Sequence, residues 1–225
     1  MNWPRSRYSA EDVLAHVDDP DRFLDEFAAA RRRRDAARAA FVADLTPEVK
    51  AEWIGGEAVF HSPARDAHNG AVHFLVTLLG AFVAARDSHY VRSEKAMLQV
   101  LEDLYEPDVA VWSKADHRFT PELLLYPPAG LIVEVLSEST ASVDRKTKFV
   151  NYAKAGVDEY WIVDADAGVV EQYFNRDGAF VPQGIWRVDD RVASRAVAGF
   201  EIPAAALFEQ AAFAKTLRAL ATGAA

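Results

Sequence analysis

Residues 131–136, Leu-Ile-Val-Glu-Val-Leu, constrain the fold more than any other segment of the chain. The run is apolar and rich in β-branched residues, which predicts a central strand that is buried on both faces. Glu134 lies inside this run. A buried carboxylate that is charged and unpaired is costly, so a metal ion, a cationic partner or solvent at the strand end has to compensate it. A purely structural ion pair is the alternative to a functional site.

The pattern of apolar residues around this strand predicts an α/β sandwich with a mixed sheet. Asp19-Pro20 is a helix start with proline at the first helical position, and it opens a helix that fills most of the first 45 residues. Thr46-Pro47 predicts a second helix, ended by Gly55-Gly56. Further helices are predicted over residues 66–86, from 142 to 155, and from 203 onward, with strands over residues 57–61, 89–93, 95–101, 108–112, 131–136 and in a hairpin formed by YWIVDA and VVEQYF.

The composition excludes several classes of protein. The chain has no cysteine, so disulfides, thiolate zinc sites and cysteine nucleophiles are excluded. No apolar run approaches the roughly 18 residues of a membrane span, and the N-terminus lacks the apolar stretch of a secretory signal. The expectation is a cytoplasmic protein with no membrane partner. The net charge of −9 counts against non-specific coating of nucleic acid, although a magnesium site concentrates carboxylates and a local basic surface can coexist with a negative total.

A second carboxylate is expected at the start of another strand. In Glu106-Pro107-Asp108-Val109, the proline lacks a backbone donor and belongs at a strand start or a sheet edge. Asp108 is therefore placed where the strand begins and can face a cleft. If Asp108 and Glu134 lie on neighbouring strands, their charges repel unless a proton or a divalent cation lies between them. Oxygen ligands select Mg²⁺, Mn²⁺ or Ca²⁺.

A lysine is predicted to reach this carboxylate pair from the following helix. Asp144, Lys148 and Tyr152 fall at i, i+4 and i+8, along one helix face. Asp144 can hold Lys148 while its ammonium group reaches the carboxylates. Taken in isolation, the same spacing favours an ordinary ion pair on the surface. Lys146 points elsewhere and is expected to be solvated.

Three segments in order along the chain resemble the Uma2 family, namely EPDVAVW, LIVEVLSEST and DRKTKFVNYAKAGVDEYWIVDADAGVVEQY. This is a bacterial group of proposed endonucleases within the PD-(D/E)XK nuclease-like superfamily, and the resemblance covers most of residues 46–210. It implies a restriction-endonuclease-like fold, in which a mixed β-sheet is flanked by helices. In this chain an additional N-terminal helical arm precedes that fold.

The resemblance also implies roles for individual residues. Asp108 and Glu134 match the two carboxylates that bind Mg²⁺ or Mn²⁺ in the superfamily, where a lysine orients or activates the attacking water. The usual lysine stands two residues after the glutamate, which is Leu136 here. In this family the lysine has moved to the following helix, where Lys148 matches. The implied catalytic residues are therefore Asp108, Glu134 and Lys148.

Glu57 is implied as a further metal ligand, because it resembles the acidic residue of the family's Asp-Gly-Glu turn. Two local departures accompany this match. The chain has Gly55-Gly56 where Asp-Gly is common, and Ser137-Glu138-Ser139-Thr140 where Ser-Pro-Ser-Thr is common. Neither removes a member of the implied set, which for the metal is Glu57, Asp108 and Glu134.

Other catalytic motifs are not supported. The six histidines include no His-x-x-x-His pair and no His-Glu-x-x-His motif, so zinc hydrolysis is not indicated. His68 and His73 are interpreted as ordinary helix residues because, five positions apart, they are poorly placed to share a helix face. The sequence also lacks the Gly-x-Ser-x-Gly elbow of serine hydrolases.

The predicted organisation is an N-terminal helical extension (residues 1–45), a nuclease-like domain (46–210) and a C-terminal helix or tail (211–225). The predicted function is a divalent-metal-dependent endonuclease that hydrolyses phosphodiester bonds in DNA. The alternative is a catalytically silent nuclease-fold binding or assembly module, because a fold alone does not confer activity. Arg31-Arg32-Arg33-Arg34 fits a solvated helix better than a phosphate-binding surface. The same helix has more apolar positions than an exposed helix needs, which predicts a homodimer.

Overall fold

The computed structural model of the protein describes residues 11, 14–46, 49–120, 122–138 and 140–222. The chain forms two units, Met1–Thr46 and Pro47–Ala225. Residues 211–225, predicted as a separate segment, fall within the second unit.

Helix α1, Pro20–Ala43, is the main element of the first unit. It begins as the sequence predicts, because Asp19 caps it by accepting a hydrogen bond from the Arg22 backbone N–H (3.0 Å). No residue of α1 is buried, and Leu24 and Phe27 are exposed. The second helix predicted between Thr46 and Gly56 is wrong over residues 51–54, which form a strand, and Pro47 lies outside the described residues. The homodimer through α1 stays a prediction.

The second unit combines sheets and helices in its described residues. Its strands are β1 Ala51–Ile54, β2 Glu57–Phe60, β3 His89–Ser93, β4 Leu98–Val100, β5 Asp103–Tyr105, β6 Val109–Ser113, β7 Leu131–Val135, β8 Glu159–Asp164, β9 Val169–Arg176, β10 Ala179–Arg187, β11 Arg191–Ala193 and β12 Glu201–Pro203. Its helices are α2 Asp66–Ala84; α3, which runs through an α-helical turn at Ala141–Val143, a π-helical turn at Asp144–Lys148 and an α-helix at Phe149–Lys154; a 3₁₀ turn at Ala204–Leu207; and α4 Gln210–Ala221.

A six-stranded sheet in the order β10-β9-β8-β7-β6-β3 forms the centre of this unit. All five residues of β7 are buried, which confirms the predicted central strand. Strand β7 runs parallel to β8 and antiparallel to β6, with Val109 opposite Val133. Because β6 and β7 run in opposite directions, the residue just before β6 lies beside the end of β7. This arrangement brings Asp108 next to Glu134.

The two faces of β7 pack against different cores. Leu131, Val133 and Val135 belong to a cluster with α2 and α4. Ile132 belongs to a cluster with Tyr152 of α3. Side chains alternate along a strand, so Glu134 points to the same side as Ile132, toward α3. The alternation along the strand therefore places the carboxylate on the face of the sheet that α3 covers.

A smaller sheet in the order β2-β1-β5-β4 contains a hairpin of β1 and β2, where the sequence predicts the end of a helix followed by a strand. Trp53 pairs with Ala58 across β1 and β2. Gly55 and Gly56 form the turn with φ of 63° and 101°. Positive φ at both central residues suits a two-residue hairpin turn, and glycine adopts it readily. The glycine pair ends a strand, which is why the predicted helix is wrong here.

Helix α2 contributes seven buried apolar residues to the core on one face of the central sheet. By length and composition it could also cross a membrane, contrary to the expectation that no apolar run approaches that length. Leu75, Leu78 and Leu79 are nonetheless almost completely buried in the core. The stacked rings of Phe74 and Phe213, 4.3 Å apart, join α2 to α4. The helix is therefore a core element of this unit.

Candidate active site

The two carboxylates predicted from neighbouring strands do meet at one end of the central sheet. Asp108 and Glu134 are each 3% exposed. The backbone N–H of Val135 donates a hydrogen bond to Asp108 Oδ2 over 2.8 Å. This bond fixes Asp108 against the end of β7, directly beside Glu134.

Lys148 lies at the centre of a cluster of buried side chains, which contains the carboxylates of Glu52, Asp108, Glu134 and Asp144. Its Nζ is 3.0 Å from Glu134 Oε1, 3.0 Å from Glu52 Oε1 and 3.3 Å from Asp144 Oδ1. The Tyr152 hydroxyl donates to the same Glu134 oxygen over 2.8 Å. The helix face predicted from the i, i+4, i+8 spacing therefore does meet Glu134.

The environment of Lys148 differs from the surface ion pair that the local spacing favours. Lys148 is 2% exposed and Asp144 is 1% exposed. Both belong to the π-helical turn of α3, and such turns recur at functional sites. The surface-pair interpretation is wrong because α3 packs this turn directly over Glu134. Lys146 is exposed, as predicted.

The cluster also contains Glu52, a residue that is not among those predicted from the sequence as part of the site. Its Oε1 accepts a hydrogen bond from the Glu106 backbone N–H (2.8 Å), and its Oε2 lies 2.9 Å from His61 Nε2. The acidic residue predicted in this region was Glu57, but the structure does not bring Glu57 to the cluster. Glu57 is exposed at the turn end of the hairpin, opposite Ile54. One sequence feature does indicate Glu52: it is a charged residue between apolar neighbours in Ala-Glu-Trp-Ile, residues 51–54, a pattern that suits a strand with a buried carboxylate.

Two further residues contact Asp108 Oδ1, the carboxylate oxygen that does not bond to Val135. Lys50 Nζ is 2.8 Å from Asp108 Oδ1, and His68 Nε2 is 3.5 Å from the same atom. His68 stands in the first turn of α2, so its interpretation as an ordinary helix residue is wrong. Both contacts join residues distant in sequence, and no local spacing signals them.

Comparison with known proteins identifies the family. The Uma2 family, described as "putative restriction endonuclease", matches residues 38–205. The chain belongs to the Uma2 family. The resemblance of its three motifs is therefore confirmed.

A solved structure supports the fold of this Uma2 protein. It is the crystal structure of "a putative nuclease belonging to DUF820" from Anabaena variabilis, which is similar to this chain with a TM-score of 0.65 and 15% sequence identity. The similarity covers 79% of this chain and 96% of that chain. At this identity the likeness shows the fold alone, and it confirms the predicted restriction-endonuclease-like class. No protein of curated function matches the sequence.

The Uma2 site contains more buried negative than positive charge. Four buried carboxylates surround two ammonium groups, which leaves two negative charges in excess when all six groups are ionised, and one when the His68 imidazole beside Asp108 also carries a proton; the carboxylates belong to Glu52, Asp108, Glu134 and Asp144, and the ammonium groups to Lys50 and Lys148. Burial raises the pKa of Glu134 to about 8, and the charges of Asp144 and Asp108 add to this in spite of Lys148. For Asp108 burial acts in the same direction, but the hydrogen bond from His68 and the charge of Lys50 outweigh it and lower its pKa. Two adjacent carboxylates with opposite shifts are typical of active sites.

The donor set fits a further cation, although the site is not preformed for one. Asp144 Oδ1 is buried with Lys148 Nζ 3.3 Å away as its partner, and a carboxylate oxygen has further lone-pair capacity that can accept an ion. Within the described residues, no three Asp, Glu or His side chains are arranged to hold a metal ion. Lys148 and Lys50 instead contact the carboxylate oxygens. The fit to a divalent ion therefore rests on oxygen chemistry and charge.

The raised pKa of Glu134 predicts a pH dependence of stability. The unfolded chain ionises a glutamate near the ordinary value of 4.5, whereas folded Glu134 keeps its proton up to about 8. Between these values the folded state binds more protons, so metal-free protein is expected to lose stability as the pH rises. Glu134→Gln removes this contribution and should flatten the slope. Denaturant unfolding in a chelator, repeated across this pH range, measures it, and equal slopes for both proteins would contradict the prediction.

Proposed function

We propose that this Uma2 protein is a divalent-metal-dependent endonuclease that hydrolyses phosphodiester bonds in DNA. The observation that carries the proposal is the convergence of Asp108, Glu134 and a buried lysine at one end of the central sheet. The family supports a nuclease, and the excess of buried carboxylates supports a metal cofactor. The fold, the family and the chemistry of the site thus agree on one class of reaction.

Asp108 and Glu134 are the residues proposed to hold Mg²⁺ or Mn²⁺. Asp144 offers a further oxygen, since its buried Oδ1 contacts Lys148 Nζ at 3.3 Å and a carboxylate oxygen can also ligate a divalent ion. Glu57 is not retained in the proposed set, since it is exposed away from the cluster. A bound divalent ion would polarise a phosphate oxygen and lower the pKa of a coordinated water.

Lys148 is proposed to act as a fixed positive charge. Burial alone would lower its pKa, but the negative charges of Glu134 (once it is ionised), Glu52 and Asp144 outweigh burial and raise the pKa well above its ordinary value. The ammonium group therefore stays protonated and cannot serve as a general base. If it exchanges one of its three carboxylate contacts for the attacking water, it can orient that water by a hydrogen bond. Its charge also offsets negative charge that develops on the phosphate. The proton of the water must then go to a carboxylate or to solvent.

The proposal is tested by cleavage of supercoiled, linear and single-stranded DNA with Mg²⁺ or Mn²⁺ and with a chelator. Wild type is expected to cut at least one of these substrates with metal. Asp108→Asn is expected to lose on the order of 10²-fold or more of that activity. Metal should also raise the melting temperature of wild type, by linkage, and the rise should vanish in Asp108→Asn.

Asp177→Asn is the matched control for this experiment. It removes a carboxylate from an exposed turn residue whose φ is 53°, a conformation that asparagine also tolerates. This variant should cleave and respond to metal as wild type does.

A binding or assembly module is the second candidate, and one observation favours it. Lys50 and Lys148 already contact the buried carboxylates, so the chain can compensate much of their charge without a metal. If no DNA is cut with either metal and the melting temperature does not respond, this second function replaces the first.

A further inference from the structure

The two oxygens of Asp108 are held in different ways. Oδ2 accepts a hydrogen bond from the backbone of Val135, which is part of the central sheet. Oδ1 contacts only side chains among the described residues, namely Lys50 at 2.8 Å and His68 at 3.5 Å. Oδ1 is therefore the oxygen whose partners can change without a movement of the backbone.

The two lysines of the cluster differ in their freedom to move. Lys148 contacts three carboxylates, and its side chain is 2% exposed. Lys50 contacts one carboxylate, and its side chain is 24% exposed. The backbone of Lys50 is anchored, because its carbonyl accepts a hydrogen bond from the His61 N–H over 3.0 Å. The side chain of Lys50 is thus partly open to solvent, whereas that of Lys148 is enclosed.

We propose that Lys50 is a resident counter-cation of Asp108, which a divalent ion must displace in order to bind. This inference rests on the proposed function and names how the chain itself regulates access to that site. Lys50 Nζ lies 2.8 Å from Oδ1, whereas a bound Mg²⁺ lies about 2.0–2.1 Å from each ligating oxygen. Two cations that close to one oxygen repel each other strongly. Breaking the Lys50–Asp108 pair is therefore part of the free energy of metal binding.

The contact between Lys50 and Asp108 also affects the stability of the metal-free protein. Asp108 is buried, and without Lys50 it would retain only His68 and the Val135 N–H as partners. Lys50 therefore stabilises the metal-free protein and weakens metal binding, and the two effects share one origin. By linkage, metal and the Lys50–Asp108 contact reduce each other by the same factor.

The test is Mn²⁺ binding to the full chain, measured by calorimetry, without any cleavage assay. Lys50→Met removes the charge and keeps the length of the side chain, and Lys50→Gln keeps a hydrogen-bond donor without the charge. Both are expected to bind Mn²⁺ on the order of tenfold more tightly than wild type, within the range typical of coupled sites. Lys95→Met is the matched control, since Lys95 is exposed and hydrogen-bonds the Val49 carbonyl. It should bind as wild type does.

A second measurement uses wild type alone and so does not depend on whether a variant folds. Amine labelling followed by mass spectrometry should show faster modification of Lys50 with Mn²⁺ than without it, while Lys148 stays protected. If wild type binds Mn²⁺ but Lys50 labelling does not change, or if neither Lys50 variant binds more tightly, the displacement is refuted and the proposed metal site stands. If neither wild type nor the Lys50 variants bind Mn²⁺, the proposed metal site itself fails, and the inference fails with it.

Discussion

Lys148→Met is expected to lose on the order of 10²-fold or more of metal-dependent DNA cleavage, the scale for removal of one electrostatic stabiliser from an active site. The physical reason is the position of the ammonium group, 3.0 Å from Glu134 Oε1 and almost completely buried. A methionine fills a similar volume but neither donates a hydrogen bond nor carries charge. The measurement is the cleavage rate at saturating Mg²⁺ on a substrate that wild type cuts.

The same substitution should also lower stability, which the experiment has to separate from catalysis. Lys148→Met leaves Glu134, Glu52 and Asp144 without their common partner, and breaking a buried ion pair costs about 3–5 kcal/mol. Part of this loss should be recovered with Mn²⁺, because a divalent ion replaces the missing positive charge. Cleavage is therefore compared at a temperature where denaturant curves show that the variant is folded.

Lys146→Met is the matched control for Lys148→Met. Lys146 stands two residues away in the same π-helical turn and is exposed. It should keep most of the activity and stability of wild type. A folded Lys148→Met variant that cuts as fast as Lys146→Met would refute the role given to Lys148.

The sequence predicts the central part of this site because its signals are local. An apolar β-branched run defines β7, and the proline before Asp108 defines the start of β6. Once the two strands pair antiparallel with Val109 opposite Val133, Asp108 and Glu134 must meet. The lysine follows from helical spacing, although its burial does not. Burial depends on how α3 packs against β7, which no spacing within Asp144–Lys148 specifies.

The missed residues share a different cause. Lys50 immediately precedes β1, and Glu52 lies within it. The glycine pair at 55–56 predicts the end of a helix at the place where the structure has this strand. The correct interpretation needs the pairing of β1 with β2 and β5, a tertiary feature. His68 was missed because its partner, Asp108, is distant in sequence and its helix position alone suggests no contact. Residues that act through long-range contacts are thus the part of the site that the sequence conceals.

Glu159 supports the second large expected effect, on the stability of the fold. It is fully buried at the start of β8. Its Oε1 accepts hydrogen bonds from Trp161 Nε1 and Gln172 Nε2, each over 2.6 Å. Its Oε2 accepts three more, each over 2.8 Å, from Ser194 Oγ and from the backbone N–H groups of residues 195 and 196. Five donors thus converge on one carboxylate and join β8 to β9 and to the chain that follows β11.

Glu159→Gln is expected to lower the free energy of unfolding by about 3–5 kcal/mol, since each buried donor left without an acceptor costs about 1–3 kcal/mol. The glutamine amide has one oxygen, so its NH₂ group must face donors on the other side. The proposed metal site should survive in the folded fraction, because Glu159 pairs with Leu131, at the opposite end of β7 from Glu134. Urea denaturation and Mn²⁺ binding measure the two quantities separately.

Glu171→Gln on the neighbouring strand β9 provides the comparison. Glu171 lies near the surface and pairs with Arg145, with N–O distances of 2.6 and 2.7 Å. The side chains of Arg145 and Glu171 are 39% and 16% exposed, so this substitution should cost less than Glu159→Gln, whose carboxylate is fully buried. If Glu159→Gln costs no more than Glu171→Gln, the converging donors do not stabilise the carboxylate as its hydrogen bonds indicate. A large loss in Glu159→Gln with unchanged Mn²⁺ affinity would instead show that the two ends of β7 are energetically independent.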